Sequence, residues 1–144
     1  MIRFFALVVL ILSSDQFLKI IILQRLAEKE SVPVITNIFH LTLVHNTGVA
    51  FGFFRDSEAL LRVLISLSLV VLLYWGIRLR KTVYGGSFAL ILGGALGNWV
   101  DRLRYGAVID YLDFRFWPVF NLADSAITLG VVLYLWNYLK SSRT

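Results

Sequence analysis

Asp124 stands three residues after Asn121 in the stretch Phe120-Asn121-Leu122-Ala123-Asp124, at the head of an apolar run that continues to Leu139. A helix counted from Val119 puts that carboxylate about 7 to 8 Å along its axis, on the same face as Asn121. Charge inside a membrane helix costs roughly 2.5 to 3.5 kcal/mol at its centre, so a carboxylate there, with an amide able to hold it, reads as functional. A second source of carboxylates is the segment from Gly93 to Asp110, GGALGNWVDRLRYGAVID. It supplies Asn98, Asp101 and Arg102 close together and then Asp110, with Asp113 just behind.

Two carboxylates brought together in low dielectric cannot both ionise cheaply, so they share a proton and titrate as a unit. That gives a base and an acid in one place. The ionised partner takes a proton from water as the water attacks a peptide carbonyl; the protonated partner polarises that carbonyl and then protonates the leaving amine. Spacing alone does not choose between Asp101 and Asp110 as the companion of Asp124, and Asp101 with Arg102 also reads as the hydrated end of a helix. Asp15 and Lys19 lie on one face at i,i+4. They read as a packing ion pair rather than as chemistry, because a lysine already paired is a poor base.

Other chemistries find less support. No Gly-x-Ser-x-Gly elbow, H-E-x-x-H zinc helix or P-loop occurs, and Ser125 lacks an evident histidine partner. His40 and His45 fall at odd spacing in a strand-like stretch, so they face opposite sides and read as surface residues rather than metal ligands. No metal or cofactor is expected; Mg²⁺ held by Asp101, Asp110 and Asp124 is the weaker alternative. The absence of cysteine excludes disulfides, thiolate metal sites and a cysteine nucleophile. A small transporter or proton relay through Asp15, Lys19 and Asp124 is the competing function. Against it, a relay should cross the whole bilayer, and the second apolar segment offers only Ser66 and Ser68 beyond Arg62. A noncatalytic assembly subunit would leave the Asn and Asp pairs without a task.

The elements that must position these groups are those of a membrane protein. Of 144 residues 58% are hydrophobic and 16% charged, with a mean hydropathy of +0.77, which places the chain outside the soluble class. Four apolar segments predict spanning helices over about 4–23, 60–79, 84–102 and 119–139, each near the ~20 residues that cross a bilayer. Arg3 followed by the run Phe4 to Leu12 could be a cleaved signal peptide, but hydrophobicity resumes at Ile20 and no small-x-small cleavage site is apparent. Gly93 and Gly97 form a small-xxx-small face for close helix packing. Phe39, Leu41 and Leu43 alternate with His40, Thr42 and Val44, and Asn46-Thr47-Gly48 supplies a turn. A β-hairpin or small sheet at the membrane surface, over about 32–55 and continuing into Val49 to Phe54, is expected. Trp99, Trp117 and Phe120 fit an interfacial aromatic belt.

Net charge is +5, yet the basic residues sit at the ends of apolar runs, where topology explains them and nucleic-acid binding is not implied. Lysine and arginine counts on the two sides are nearly equal. The crowding of Arg78, Arg80 and Lys81 in one short loop, with Arg3, Lys140 and Arg143 at the termini, places that side in the cytoplasm. The long connector and the segment from Arg102 to Pro118 then face outward.

DQFLK at Asp15 to Lys19, NTGVAFG at Asn46 to Gly52, GGALGNWVDR with the following GAVID, and FNLADSAI from Phe120 together resemble the lipoprotein signal peptidases, the signal peptidase II family of the bacterial inner membrane. The resemblance covers nearly the whole chain with the motifs in order. It implies a single integral-membrane peptidase domain over 1–144, with four transmembrane helices, a periplasmic β-cradle and a short amphipathic helix before the fourth span. Both termini would be cytoplasmic and the active site periplasmic. It puts the catalytic pair on Asp110 and Asp124. Matching residues that support the pair or contact substrate and inhibitor are Asp15, Lys19, Asn46, Gly94, Asn98, Asp101, Arg102, Asn121 and Ala123. The implied reaction is cleavage of a diacylglyceryl-modified prolipoprotein before its lipidated cysteine. Membrane lipids and cyclic peptide inhibitors of the globomycin type are the other implied partners. One departure is that the stretch between Asp110 and Asn121 is short for the family, at the outer lid.

Overall fold

The computed structural model describes residues 2–48 and 58–142. Its elements run α1 (Ile2–Arg25), β1 (Ser31–Ile35), β2 (Phe39–Asn46), α2 (Glu58–Leu79), α3 (Gly85–Tyr105), β3 (Val108–Asp113) and α4 (Leu122–Ser141). The four expected helices are present, each within three residues of its expected start and end. The expected strand from Val49 to Phe54 lies outside the described residues.

α1 contains neither glycine nor proline and buries Phe4, Val8, Asp15, Lys19 and Ile22, a single stripe at helical spacing. Its remaining surface is apolar: Val9, Leu10 and Phe17 are all more than half exposed. That is the reverse of a soluble amphipathic helix and needs a lipid solvent. α1 and α4 are long and apolar enough to cross a membrane by length and composition. α3 is the central helix, packed against α1, α2 and α4, and three glycines set its closeness. A Cβ at Gly93 would come within 2.9 Å of the Ile11 Cβ in α1, and one at Gly94 within 2.4 Å of the Ala123 carbonyl oxygen in α4. One at Gly97 would come within 2.5 Å of the Asp15 carboxylate. α3 ends where Gly106 takes φ 71°, a left-handed cap open to glycine, its N–H donating to the Arg102 carbonyl.

The three strands form one antiparallel sheet in the order β1-β2-β3. Beneath it Ile22, Leu43, Ile109 and Tyr111 make a small core separate from the bundle core of Phe4, Val8, Leu69, Ala89 and Leu92. β3 corrects the expectation of a short amphipathic helix before the fourth span: among the described residues this stretch is a strand followed by an irregular loop. Its residues are almost all buried, so VIDYLD shows no polar alternation that would have marked it as a strand. Trp99 corrects the aromatic-belt reading, since its indole N–H donates to Ser66 Oγ at 3.2 Å and its ring packs on the bundle core. Trp117 is 64% exposed, as a belt residue would be.

Candidate active site

α4 starts at Leu122, three residues later than expected, because Asn121 caps it. The Asn121 side-chain oxygen accepts from the Asp124 backbone N–H at 2.8 Å. Asp124 is therefore in the first turn, not 7 to 8 Å down the axis. The neighbouring orphan donor, the Ala123 N–H, is taken by Asp15 Oδ1 at 2.9 Å, so a carboxylate of α1 serves as a second cap for α4.

Asp15, Lys19, Asp101, Asp110 and Asn121 are each at most 2% exposed, and Asn98 is buried beside them. Lys19 Nζ lies 2.8 Å from Asp15 Oδ2, 2.6 Å from Asp101 Oδ2 and 3.1 Å from Asn98 Oδ1, an acceptor for each of its protons. The pair read from i,i+4 spacing is thus shared with α3. Asp101 also accepts from Gln16 Nε2 at 2.9 Å and from the Ile109 N–H at 3.1 Å, which ties β3 to α3. It is wholly buried, not a hydrated helix end. Gln16 is not among the residues singled out from the sequence. The signal was available, since a long amide one residue after Asp15 in an apolar helix needs partners, and it finds Asp15, Asp101 and the Gly97 carbonyl.

Above this ionic base lies a layer of amides. Asn98 Nδ2 donates to Asp124 Oδ1 at 2.7 Å, while its oxygen accepts from Lys19 and from Asn121 Nδ2 at 3.1 Å. Asn121 Nδ2 also donates to Asp110 Oδ1 at 2.7 Å, and Asn46 Nδ2 holds the other oxygen, Asp110 Oδ2, at 2.8 Å. Asp110 and Asp124 are thereby joined through Asn121 and Asn98. Asn121 holds Asp110 and the α4 backbone; the Asp124 carboxylate is held by Asn98, a partner that spacing along α4 could not reveal. Asn46 reaches Asp110 because it pairs with Val108, which makes Asp110 its diagonal neighbour on one face of the sheet. Gly48, at φ 73°, donates its N–H to Asn46 Oδ1 and fixes that amide's orientation.

Burial pushes the Asp110 carboxyl up to about 6. Its bond from Asn46 opposes the rise, the Asp124 charge adds to it, and Asn121 and Lys19 oppose it. Arg102 is half-buried within electrostatic reach of Asp124, Asp101 and Asp110; its Nη1 lies 3.4 Å from the Asn98 carbonyl, and its Nε is buried without a partner. Gly94 and Ala123 carry no chemistry of their own: they are the point where the backbones of α3 and α4 touch. A cavity of about 610 Å³ opens beside the cluster, with Asp124, Ser125, Thr128 and Leu129 of α4 on one wall and Phe114 and Trp117 on the other.

Asp113 stands apart. It accepts from Thr42 Oγ1 at 2.8 Å and pairs with Arg115 Nη1 at 3.0 Å, and the Arg115 backbone bond with these partners holds its carboxyl below the usual range despite the opposing cost of burial. His40 bonds Ser31 and His45 contacts Glu28, both at the surface. Asp101, Asp110 and Asp124 do not assemble as metal ligands among the described residues; each accepts from N–H donors, which suit an anion rather than a cation. The polar groups gather at one end of the bundle, which does not favour a relay across it.

Lipid-facing helices around a buried layer of carboxylates and amides define a membrane-embedded peptidase of the aspartic class. The chain belongs to the family described as Signal peptidase (SPase) II, whose pattern matches residues 7–140. It is similar to the lipoprotein signal peptidase of Halothermothrix orenii, 44% identical with 94% of this chain and 97% of that protein covered. It is similar also to that of Moorella thermoacetica, 44% identical with 94% and 92% covered. A bacterial membrane enzyme solved by the in meso method at 2.3 Å resolution superposes with a TM-score of 0.87 at 29% identity, covering 97% of this chain and 89% of that one.

Proposed function

We propose that this peptidase removes the signal peptide from diacylglyceryl-modified prolipoproteins, cutting before the lipidated cysteine, with Asp110 and Asp124 as its catalytic pair. The observation that carries the reading is the amide bridge: Asn98 and Asn121 hold one oxygen of each aspartate at 2.7 Å while the raised Asp110 carboxyl disfavours a second charge. The ionised member takes a proton from water, the hydroxide oxygen bonds to the scissile carbonyl carbon, and the protonated member gives its proton to the leaving nitrogen as the C–N bond breaks. Asp15, Lys19 and Asp101 hold Asn98 and the first turn of α4; Asn46 orients Asp110. Arg102, with a free buried Nε beside the pair, is suited to a substrate carbonyl, and a globomycin-type cyclic peptide would compete for the same donors.

A substrate whose acyl chains and signal helix both lie in the bilayer arrives laterally. The aromatic cavity beside Asp124 suits that approach, at a depth water still reaches. All four helices span the membrane in this reading, with both termini in the cytoplasm of the bacterial inner membrane and the sheet on the periplasmic side. Purified protein given a diacylated precursor tests the assignment. Asp110→Asn and Asp124→Asn are each expected to abolish cleavage, a loss of at least about 10³-fold for a group acting in proton transfer, while eluting as folded protein. Cleavage at the parental rate by either variant refutes the pair, and equal cleavage of an unmodified precursor refutes the lipid requirement.

A further inference from the structure

The end of the bundle opposite the carboxylates carries a cavity that the peptidase reaction does not use. The turn between α2 and α3 is tight: the Leu79 carbonyl accepts from both the N–H and hydroxyl of Thr82, and a Cβ at Gly85 would lie 2.6 Å from the Arg80 carbonyl. This crowds Arg78, Arg80 and Lys81 together. Asn137 donates to the Val83 carbonyl at 3.3 Å, which brings the last turns of α4, and Lys140 one turn on, to the same place. Beneath lies a cavity of about 480 Å³ lined by Trp75, Leu79, Tyr84, Phe88, Tyr134 and Tyr138. Its wall is built: Tyr84 and Phe88 pack on Tyr134 at ring distances of 5.3 and 5.8 Å, and Tyr134 stacks on Tyr138 at 6.4 Å.

Among the described residues no carboxylate pairs with these cations. The acidic residues of their own helices, Glu58 and Asp124, lie at the opposite ends of α2 and α4, and the turn between α2 and α3 has none. Arg80 donates Nη1 to the Ile77 carbonyl, yet its Nε is buried with no partner. An unpaired buried guanidinium N–H on the residue that follows Leu79 of the slot's wall asks for an acceptor that carries its own apolar tail.

We propose that this cavity binds one anionic phospholipid, its phosphate on Arg80 and Lys140 and an acyl chain in the slot of Tyr84, Phe88 and Tyr134. The inference rests on the reading that these helices span a membrane with this end in the cytoplasmic leaflet, where anionic lipids and basic pockets between helices meet. The lipid would tie the far end of α4, the helix that carries Asp124, to the α2–α3 turn.

Native mass spectrometry of the full-length protein in neutral detergent tests this with phosphatidylglycerol, phosphatidylcholine and water-soluble glycerol phosphate. Phosphatidylglycerol is expected to stay bound at about one per chain through dissociation of the detergent, with phosphatidylcholine retained about tenfold less and glycerol phosphate not at all. The double variant Arg80→Gln, Lys140→Gln is expected to bind phosphatidylglycerol roughly 30-fold more weakly, from the loss of two charges near a headgroup, with unchanged cleavage of a diacylated precursor. Equal retention of the two phospholipids, or undiminished phosphatidylglycerol binding by the double variant, overturns the proposal. Asp124→Asn separates it from the peptidase reading, because that variant should lose cleavage and keep the lipid.

Discussion

Lys19 shows how one side chain organises a buried site. It neutralises two carboxylates from different helices and, through Asn98, orients the amide that holds Asp124. Replacing it by methionine keeps the volume but leaves Asp15 and Asp101 buried without their cation, so Lys19→Met is expected to cost about 3 to 5 kcal/mol of stability; thermal unfolding in detergent reads this as a large fall in Tm. Asn98→Ala breaks no ion pair and is expected to reduce cleavage far more than it lowers Tm. Asp110 adds a dependence on pH. Its folded value of about 6 exceeds the ~3.9 of an unfolded aspartate, so between those values the folded chain binds more protons. Stability from this group is full below pH ~4 and lost as pH rises through about 6. The parent should therefore lose Tm across that interval relative to Asp110→Asn, and parallel curves for the two proteins would refute the shift. Asn46→Ala removes a bond that lowers this value, so the inflection of the activity profile set by Asp110 should move to higher pH: the acidic limb where Asp110 is the base, the alkaline limb where it is the acid.

At the scale of elements, the first turn of α4 is where helix packing meets the proposed catalytic pair, since its N–H groups, its cap and Asp124 are fixed by α1, α3 and β3 together. Gly94→Ala would drive a methyl to 2.4 Å from the Ala123 carbonyl, which cannot yield as a flexible side chain would. The expected result is a loss of about 1 to 3 kcal/mol with a larger proportional loss of cleavage. Gly86→Ala, with nothing within 4 Å of the new methyl, should be neutral or stabilising by up to about 1 kcal/mol in the same assay. The helices were legible in the sequence because unbroken apolar runs of spanning length admit few other structures. β1 fell within the bounds expected for the sheet without a reading of its own; β2 was legible from alternation, and Asp15 with Lys19 from spacing. β3 was not, because both its faces are buried and its residues carry no period. The start of α4 was misplaced because Val119 and Phe120 are apolar, although Asn121 followed three residues later by Asp124 is a capping pattern. Asn98 holding Asp124 was illegible for a different reason: it depends on how closely α3 approaches α4, which Gly94 permits but does not specify.

The whole molecule is asymmetric along the bundle axis: carboxylates, amides and the sheet at one end, and at the other the cations of the α2–α3 turn and of the end of α4, a whole helix away from Glu58 and Asp124. In the spanning reading the crowding of Arg78, Arg80 and Lys81 in one short loop favours the proposed orientation, because such cations are retained on the cytoplasmic side while acidic residues bias topology little. The chain has no cysteine, so each introduced thiol would be unique and reports its own side of the membrane. Glu30→Cys, exposed where the chain enters β1, is expected to react with a membrane-impermeant maleimide in intact spheroplasts. Lys81→Cys in the α2–α3 turn and Ser142→Cys at the cap of α4 should react only after the membrane is opened. The opposite pattern would place Asp110 and Asp124 in the cytoplasmic leaflet, where a precursor that exposes its scissile bond on the outer face could not reach them. Labelling of Glu30→Cys and Lys81→Cys from the same side would break the spanning arrangement itself, since α2 would then not cross from the sheet end to the turn.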